Sequence, residues 1–186
     1  MTPSKINYAV FILLSTLVMG LKPSHIDSNQ HFVGEVFGGG IIFQLDESKM
    51  HGLICSLSDI QDASTQKISD YSATPGNSSS LISNPERAYD LCASYINFDS
   101  GIGRFSDWYL PSIDELKILY QVKKTMNESL EKYNPKVVDY LDKVYWSSSK
   151  VKTDLIQANQ LIDFENGTLI IFSNRPLTFV RAIRKF

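Results

Sequence analysis

The 186-residue chain has few of the residues from which catalytic and metal sites are usually built. It contains three histidines and two cysteines, and neither cysteine lies in a CxxC pair. The sequence has no GxSxG, HExxH or Walker motif. Residues 147–149 are serines, but no base partner is identifiable for a nucleophile there. The sequence therefore predicts a protein that is not an enzyme and needs no cofactor and no metal ion.

The chain also lacks an excess of either charge. Its 18 lysines and arginines face 20 acidic residues, which gives a formal net charge of −2. A nucleic-acid-binding domain usually carries a concentrated basic surface. The densest basic run, residues 181–185, alternates as a strand does, and we interpret it as a solvated strand face. Nucleic acid is not expected as a partner.

Long hydrophobic runs are scarce, and the clearest one lies near the N-terminus. Lys5 precedes an apolar run at residues 8–19, which ends at Gly20. This pattern is typical of a signal peptide, and the run is shorter than the roughly 20 residues of a membrane-spanning helix. We predict a signal peptide at residues 1–20 and an exported protein that is periplasmic, surface-bound or extracellular. A retained N-terminal anchor is the alternative, and the membrane would then be contacted only through this segment.

The rest of the chain has the length and composition of one domain. Residues 21–32 are polar without a usable hydrophobic period, so we predict a linker in which His25 and His31 are solvated. Residues 33–186 are predicted to form a single domain. Export would allow Cys55 and Cys92 to form a disulfide, and two buried free thiols are the alternative. The sequence does not decide between them, and it gives no oligomeric state.

Hydrophobic periodicity and turn signals predict an α+β fold whose termini lie close together. A glycine run at 38–40 predicts a tight bend or a bulge between two strands, and Asn166-Gly167 predicts a hairpin turn. Residues 58–84 read as a long loop in which Asp59, Asp62 and Asp70 are solvated. The remaining predicted elements are strands at 53–57, 144–149, 158–164, 169–172 and 179–184, helices at 85–97 and 113–124, and one or two helical turns within 127–143.

The segment DWYLPSIDEL, residues 107–116, predicts a corner between extended chain and a helix. Ser112 and Glu115 have the spacing of a capping box. We predict that Trp108 and Leu110 pack under the helix that Ser112 caps, and that Trp146 is also a core residue.

The candidate ligand-binding residues lie in the loops around this corner. Tyrosines in exposed loops could stack on sugar rings or anchor a protein partner. We predict binding through loops 58–84 and 97–109, with Tyr71, Asp99, Arg104, Asp107 and Tyr109 as the contact residues.

Five motifs occur in order along residues 33–186, and together they resemble a known bacterial family. They are GEVFGGGIIF at 34–43, HGLI at 51–54, DWYLPSIDEL at 107–116, YWSSS at 145–149 and VRAIR at 180–184. With these motifs in this order, the segment resembles the domain family found at the C-terminus of the Legionella collagen-like adhesin and in the Fibrobacter major paralogous proteins. That family is similar to the C-type-lectin-like fold, which the formylglycine-generating sulfatase modifiers also use.

The resemblance implies a twisted antiparallel sheet, two main helices and a long irregular loop region. It also implies an exported surface protein, and the adhesin's domain is implicated in glycan binding. This chain has no collagen repeat and no Glu-Pro-Asn or Trp-Asn-Asp calcium-sugar motif, and its two cysteines do not match the catalytic pair of the sulfatase modifiers. Enzymatic and calcium-lectin functions therefore do not carry over.

We expect a non-enzymatic exported domain that contacts a glycan or protein at the bacterial envelope or surface. The second hypothesis is a structural envelope or assembly component, and the third is a hydrolase of unknown substrate.

Overall fold

The computed structural model describes residues 30–60, 85–99, 103–136, 138–152, 157–172 and 178–186. The predicted signal peptide, residues 21–29 of the predicted linker and Tyr71 lie outside these ranges. The folded unit spans His31–Phe186.

The described elements are three helices and antiparallel sheets, with the strands and helices grouped along the chain, which confirms the α+β class. The helices are α1 (Pro85–Ser94), α2 (Ile113–Gln121) and α3 (Lys123–Tyr133). The strands are β1 (Val36–Phe37), β2 (Gly40–Leu45), β3 (Gly52–Ser56), β4 (Asn97–Asp99), β5 (Gly103–Phe105), β6 (Val144–Lys152), β7 (Gln157–Asp163), β8 (Leu169–Phe172) and β9 (Ile183–Lys185). The α3 helix is longer than the one or two turns that the sequence predicted.

The first sheet contains strands from both ends of the folded unit. Its strand order is β1-β2-β3-β9, and every pairing is antiparallel. Gly38 and Gly39, with φ of 57° and 82°, form the turn between β1 and β2, a backbone conformation that side chains rarely adopt. This turn confirms the predicted bend, and the 5.2 Å between the ring centroids of His31 and Phe186 confirms that the ends of the folded unit lie close together.

The second sheet has the order β6-β7-β8 and is also antiparallel. The predicted Asn-Gly hairpin joins β7 to β8, with Gly167 at φ 79°. The last predicted strand, 179–184, is shorter than expected. Only Ile183–Lys185 pairs with β3, while Phe179 makes a single parallel bridge to Tyr145.

The first sheet is buried on both faces because its apolar side chains alternate. Ile41 of β2 points into one core with the apolar sides of α2 and α3, whereas Ile42 points into another core with α1. Trp108 and Leu110 belong to the core beside α1. The prediction that they pack under α2 is therefore wrong, although both are buried as expected.

The folded unit begins earlier than residue 33, because His31 is part of it. Its backbone N–H donates to the Lys49 carbonyl at 3.0 Å, and its ring lies 3.1 Å from a Glu35 carboxylate oxygen. The ring also contacts Phe37 and Phe186, with centroid separations of 4.3 and 5.2 Å. The prediction that His31 is solvated is wrong.

Candidate functional site

The corner at residues 107–116 is held by a complete capping box. The Ser112 hydroxyl accepts from the backbone N–H of Glu115 at 3.3 Å, and the Glu115 carboxylate accepts from the backbone N–H of Ser112 at 2.7 Å. The other oxygen of Glu115 accepts a hydrogen bond from the Tyr109 hydroxyl at 2.8 Å. Burial and this contact with Glu115 raise the pKa of Tyr109 well above its ordinary value. The corner predicted from sequence is confirmed.

Two serines of β6 form hydrogen bonds with this corner, and a third connects β6 to β7. The backbone N–H of Ile113 donates to the Ser149 hydroxyl at 3.0 Å, and the backbone N–H of Ser148 donates to the Pro111 carbonyl at 2.8 Å. The buried Ser147 hydroxyl donates to the Gln160 carbonyl at 2.6 Å. The serines therefore connect the start of α2 to β6 and β7.

Arg184 of β9 fixes the other side of the corner. Its Nε and Nη2 donate to the two carboxylate oxygens of Asp107 at 2.7 and 3.1 Å. Its guanidinium lies 4.3 Å from the ring centroid of Phe105, and Nη1 donates to the Gly38 carbonyl at 3.3 Å. The hydrogen bond from Arg184 lowers the pKa of Asp107.

The prediction that residues 181–185 form a solvated strand face is wrong. Arg181 is fully buried and Arg184 is almost so. A strand-like alternation of charged and apolar residues normally indicates one solvated face. Here the two arginines pair with carboxylates and carbonyls from distant segments: Arg181 with Asp59 and the Ser56 carbonyl, and Arg184 with Asp107 and the Gly38 carbonyl.

The larger of two neighbouring cavities opens on the corner and has a volume of about 600 Å³. Its walls come from α1, the corner, the first turn of α2, β6 and β9. The lining residues are Tyr89, Asp107, Tyr109, Leu110, Glu115, Ser148 and Lys185.

The smaller cavity, of about 370 Å³, continues from the larger one along α1. The two share Tyr89, Leu110 and Ser148, so they form one cleft, which we call the groove. Its remaining lining residues are Pro85, Glu86, Asp90, Ser147, Lys150 and Asn159. Both volumes lie within the range of roughly 300 to 1,000 Å³ that is usual for ligand sites.

The structure brings two of the predicted contact residues together and separates others. Asp107 and Tyr109 line the groove. Arg104 is exposed on β5 and lines neither cavity, and the backbone of Asp99 pairs with Gly103 in the β4–β5 hairpin. Tyr71 lies outside the described residues. Of the predicted contact residues whose side chains the structure describes, Asp107 and Tyr109 line the same cavity and Arg104 does not.

Sequence analysis missed Tyr89, the residue at the junction of the two cavities. Its side chain is 58% exposed, whereas Ala88, Leu91 and Cys92 on the opposite side of α1 are buried. An aromatic residue on the polar side of an amphipathic helix is the signal that could have identified it.

The groove contains both engaged and unengaged polar groups. Asp107 is paired with Arg184, and Glu115 accepts hydrogen bonds from the corner. Among the described residues, no side-chain partner contacts the carboxylates of Glu86 and Asp90 or the ammonium groups of Lys150 and Lys185. Those four groups are free to meet a ligand.

A second charged cluster is buried and does not line the groove. Arg181 Nε lies 2.9 Å from one carboxylate oxygen of Asp59, and the Lys143 ammonium lies 2.9 Å from the other. Lys143 also contacts Asp139 at 2.5 Å, and the backbone N–H of Asp59 donates to Asp139 at 2.6 Å. The prediction that Asp59 is a solvated loop residue is wrong. The cluster joins three distant segments, so we interpret it as structural.

The pKa values of the two carboxyl groups in this cluster are shifted in opposite directions. Burial raises the pKa of Asp59, with Arg181 acting against it. Burial would also raise the pKa of Asp139, but Arg181, Lys143 and the backbone N–H of Asp59 outweigh it, and the pKa is lowered.

Cys55 and Cys92 are separate, buried thiols, which is the second of the two alternatives that the sequence left open. They belong to different cores, one on each side of the first sheet. Burial raises the pKa of each to about 12, so both remain protonated at neutral pH.

Membrane-spanning helices and metal-binding clusters are both absent from the described ranges. No helix there is long and apolar enough to cross a membrane. Nor does any group of three histidine, cysteine, aspartate or glutamate side chains in those ranges come together as metal ligands would.

In comparisons with known proteins, no family model and no curated protein sequence matches the chain.

Proposed function

We propose that this protein is a non-enzymatic, exported binding domain with a C-type-lectin-like fold, and that the groove is its binding surface. The observation that carries the proposal is the position of Tyr89, an exposed aromatic ring at the junction of two cavities whose walls also carry carboxylate and ammonium groups. Aromatic faces stack on the apolar faces of sugar rings, and carboxylates and ammonium groups bind the hydroxyls around them. A glycan of the bacterial envelope or surface combines apolar ring faces with hydroxyl groups, and therefore matches an aromatic ring flanked by charged groups.

The pairing, protonation and exposure of the acidic residues in the groove argue against a hydrolase. A glycosidase needs a carboxyl pair in which one member is kept protonated by an apolar environment. Asp107 is ion-paired with its pKa lowered, and Glu115 is committed to the capping box. Glu86 and Asp90 are exposed on α1 rather than enclosed.

A structural role in envelope assembly is the second candidate, and the edge strand β8 favours it. β8 pairs only with β7 among the described strands, and Leu169 and Ile171 on it are 45% and 58% exposed. Unpaired edges with apolar side chains can pair with another chain.

A binding assay on the purified chain separates the two candidates. Retention on a glycan array or on envelope polysaccharide, with no change in sedimentation between low and high protein concentration, supports the binding domain. Concentration-dependent association without glycan retention supports the assembly component and contradicts our proposal.

A further inference from the structure

The two cavities differ in the polar groups that they offer. In the smaller one, Glu86 and Asp90 lie one helical turn apart on α1, and neither carboxylate has a side-chain partner among the described residues. The two carboxylates accept hydrogen bonds from ligand hydroxyls, and the Lys150 ammonium in the same cavity donates them.

In the larger cavity the two carboxylates are already occupied, as described above for Asp107 and Glu115. The groups that remain are the Lys185 ammonium and the Ser148 hydroxyl, which donate hydrogen bonds to ring and hydroxyl oxygens. A single sugar unit would therefore meet only one half of the groove's polar groups.

Both cavities are open clefts, and they meet at Tyr89, Leu110 and Ser148. A ligand that fills both must run past the exposed ring of Tyr89. A site that recognises the terminal unit of a chain is expected instead to be a single enclosed cavity.

We propose that the groove binds an internal segment of a linear glycan, with adjacent sugar units in the two cavities and the Tyr89 ring against the chain at their junction. This inference rests on the proposed function and adds the form of the ligand. It makes chain length, rather than a terminal sugar, the property that the protein selects.

The test uses the full purified chain on an array that carries dextran, xylan, chitosan and polygalacturonate beside glycans with varied terminal sugars. For a polymer that binds, its monosaccharide and its hexasaccharide then compete for the protein. We expect the hexasaccharide to compete at least about tenfold better per mole, the effect of losing one hydrogen bond to a charged group.

Variants in each cavity show whether both take part. Asp90→Asn in the smaller cavity and Lys185→Gln in the larger one should each weaken hexasaccharide binding about threefold or more. The control is Lys124→Gln, an exposed lysine on α3 that lines neither cavity. Its affinity should equal that of the unmodified chain.

Four results would overturn the inference. Equal competition by the monosaccharide, or loss of binding in only one of the two cavity variants, indicates a single-sugar site and leaves the proposed function standing. Retention only on glycans with a particular terminal sugar also indicates a single-sugar site and leaves the proposed function standing. If no glycan binds, the proposed function itself fails and this inference fails with it.

Discussion

Arg184 and Asp107 form a two-point ion pair, in which Nε and Nη2 of the guanidinium lie 2.7 and 3.1 Å from the two carboxylate oxygens. The pair connects the last strand of the fold to the corner, 77 positions earlier in the chain. The groove begins at this corner, so the pair fixes part of its wall.

Replacing Arg184 by lysine should destabilise the fold even though the charge is retained. Lysine cannot make the two parallel hydrogen bonds to Asp107 or lie flat over Phe105. We expect a loss of about 2 kcal/mol in the free energy of unfolding, measured with urea. Lys124→Gln is the exposed control and should change it by less than about 0.5 kcal/mol. Equal effects of the two substitutions would show that the ion pair contributes little.

The buried cluster should show strong coupling between Asp59 and Arg181. Asp59→Asn leaves the buried Arg181 and the partly buried Lys143 facing one carboxylate, and the expected cost is about 3 kcal/mol. Asp114→Asn, which removes an exposed pair with Lys117, should cost less than about 1 kcal/mol. The double variant Asp59→Asn/Arg181→Met should be less destabilised than the sum of its single variants. Additive effects would contradict the interpretation that the cluster acts as one unit.

Local signals in the sequence predicted much of the fold. The capping box, the glycine bend and the Asn-Gly hairpin depend on neighbouring residues, and all three are confirmed. The buried arginines could not be predicted in the same way. Arg184 meets Asp107 across 77 positions and Arg181 meets the Ser56 carbonyl across 125, so only the tertiary structure pairs them.

The groove was harder to predict for the same reason. Its lining comes from α1, the corner, α2 and three strands, and no short motif contains them together. Sequence reasoning found Asp107 and Tyr109 because they belong to the corner. It missed Tyr89 because α1 was read only through its buried side.

Acid should weaken the fold partly through Asp139. The pKa of this carboxyl is lower in the folded chain than its ordinary value of 3.8, so folding favours the ionised form. Its stabilisation is complete above that value and is lost as the pH falls through the lowered pKa. The difference in unfolding free energy between the unmodified chain and Asp139→Asn should therefore be largest near neutral pH and shrink below about pH 4. A difference that stays constant down to pH 2 would contradict this.

The two cysteines should resist modification until the chain unfolds. Both thiols are buried and protonated, and only the thiolate reacts rapidly with disulfide reagents. Titration with Ellman's reagent should find no rapidly reacting thiol in the native chain and two after denaturation in urea. A denatured chain without reactive thiols would show instead that Cys55 and Cys92 are bonded.

The most direct test of the groove as binding surface compares Tyr89→Ala with Tyr133→Ala. The two tyrosines are similarly exposed, at 58% and 55%, but Tyr133 lies at the end of α3 and lines neither cavity. Both variants should unfold at the same urea concentration as the unmodified chain. Affinity for the retained glycan, measured by calorimetry, should fall about tenfold for Tyr89→Ala and remain unchanged for Tyr133→Ala. Equal affinities of the two variants would contradict the account.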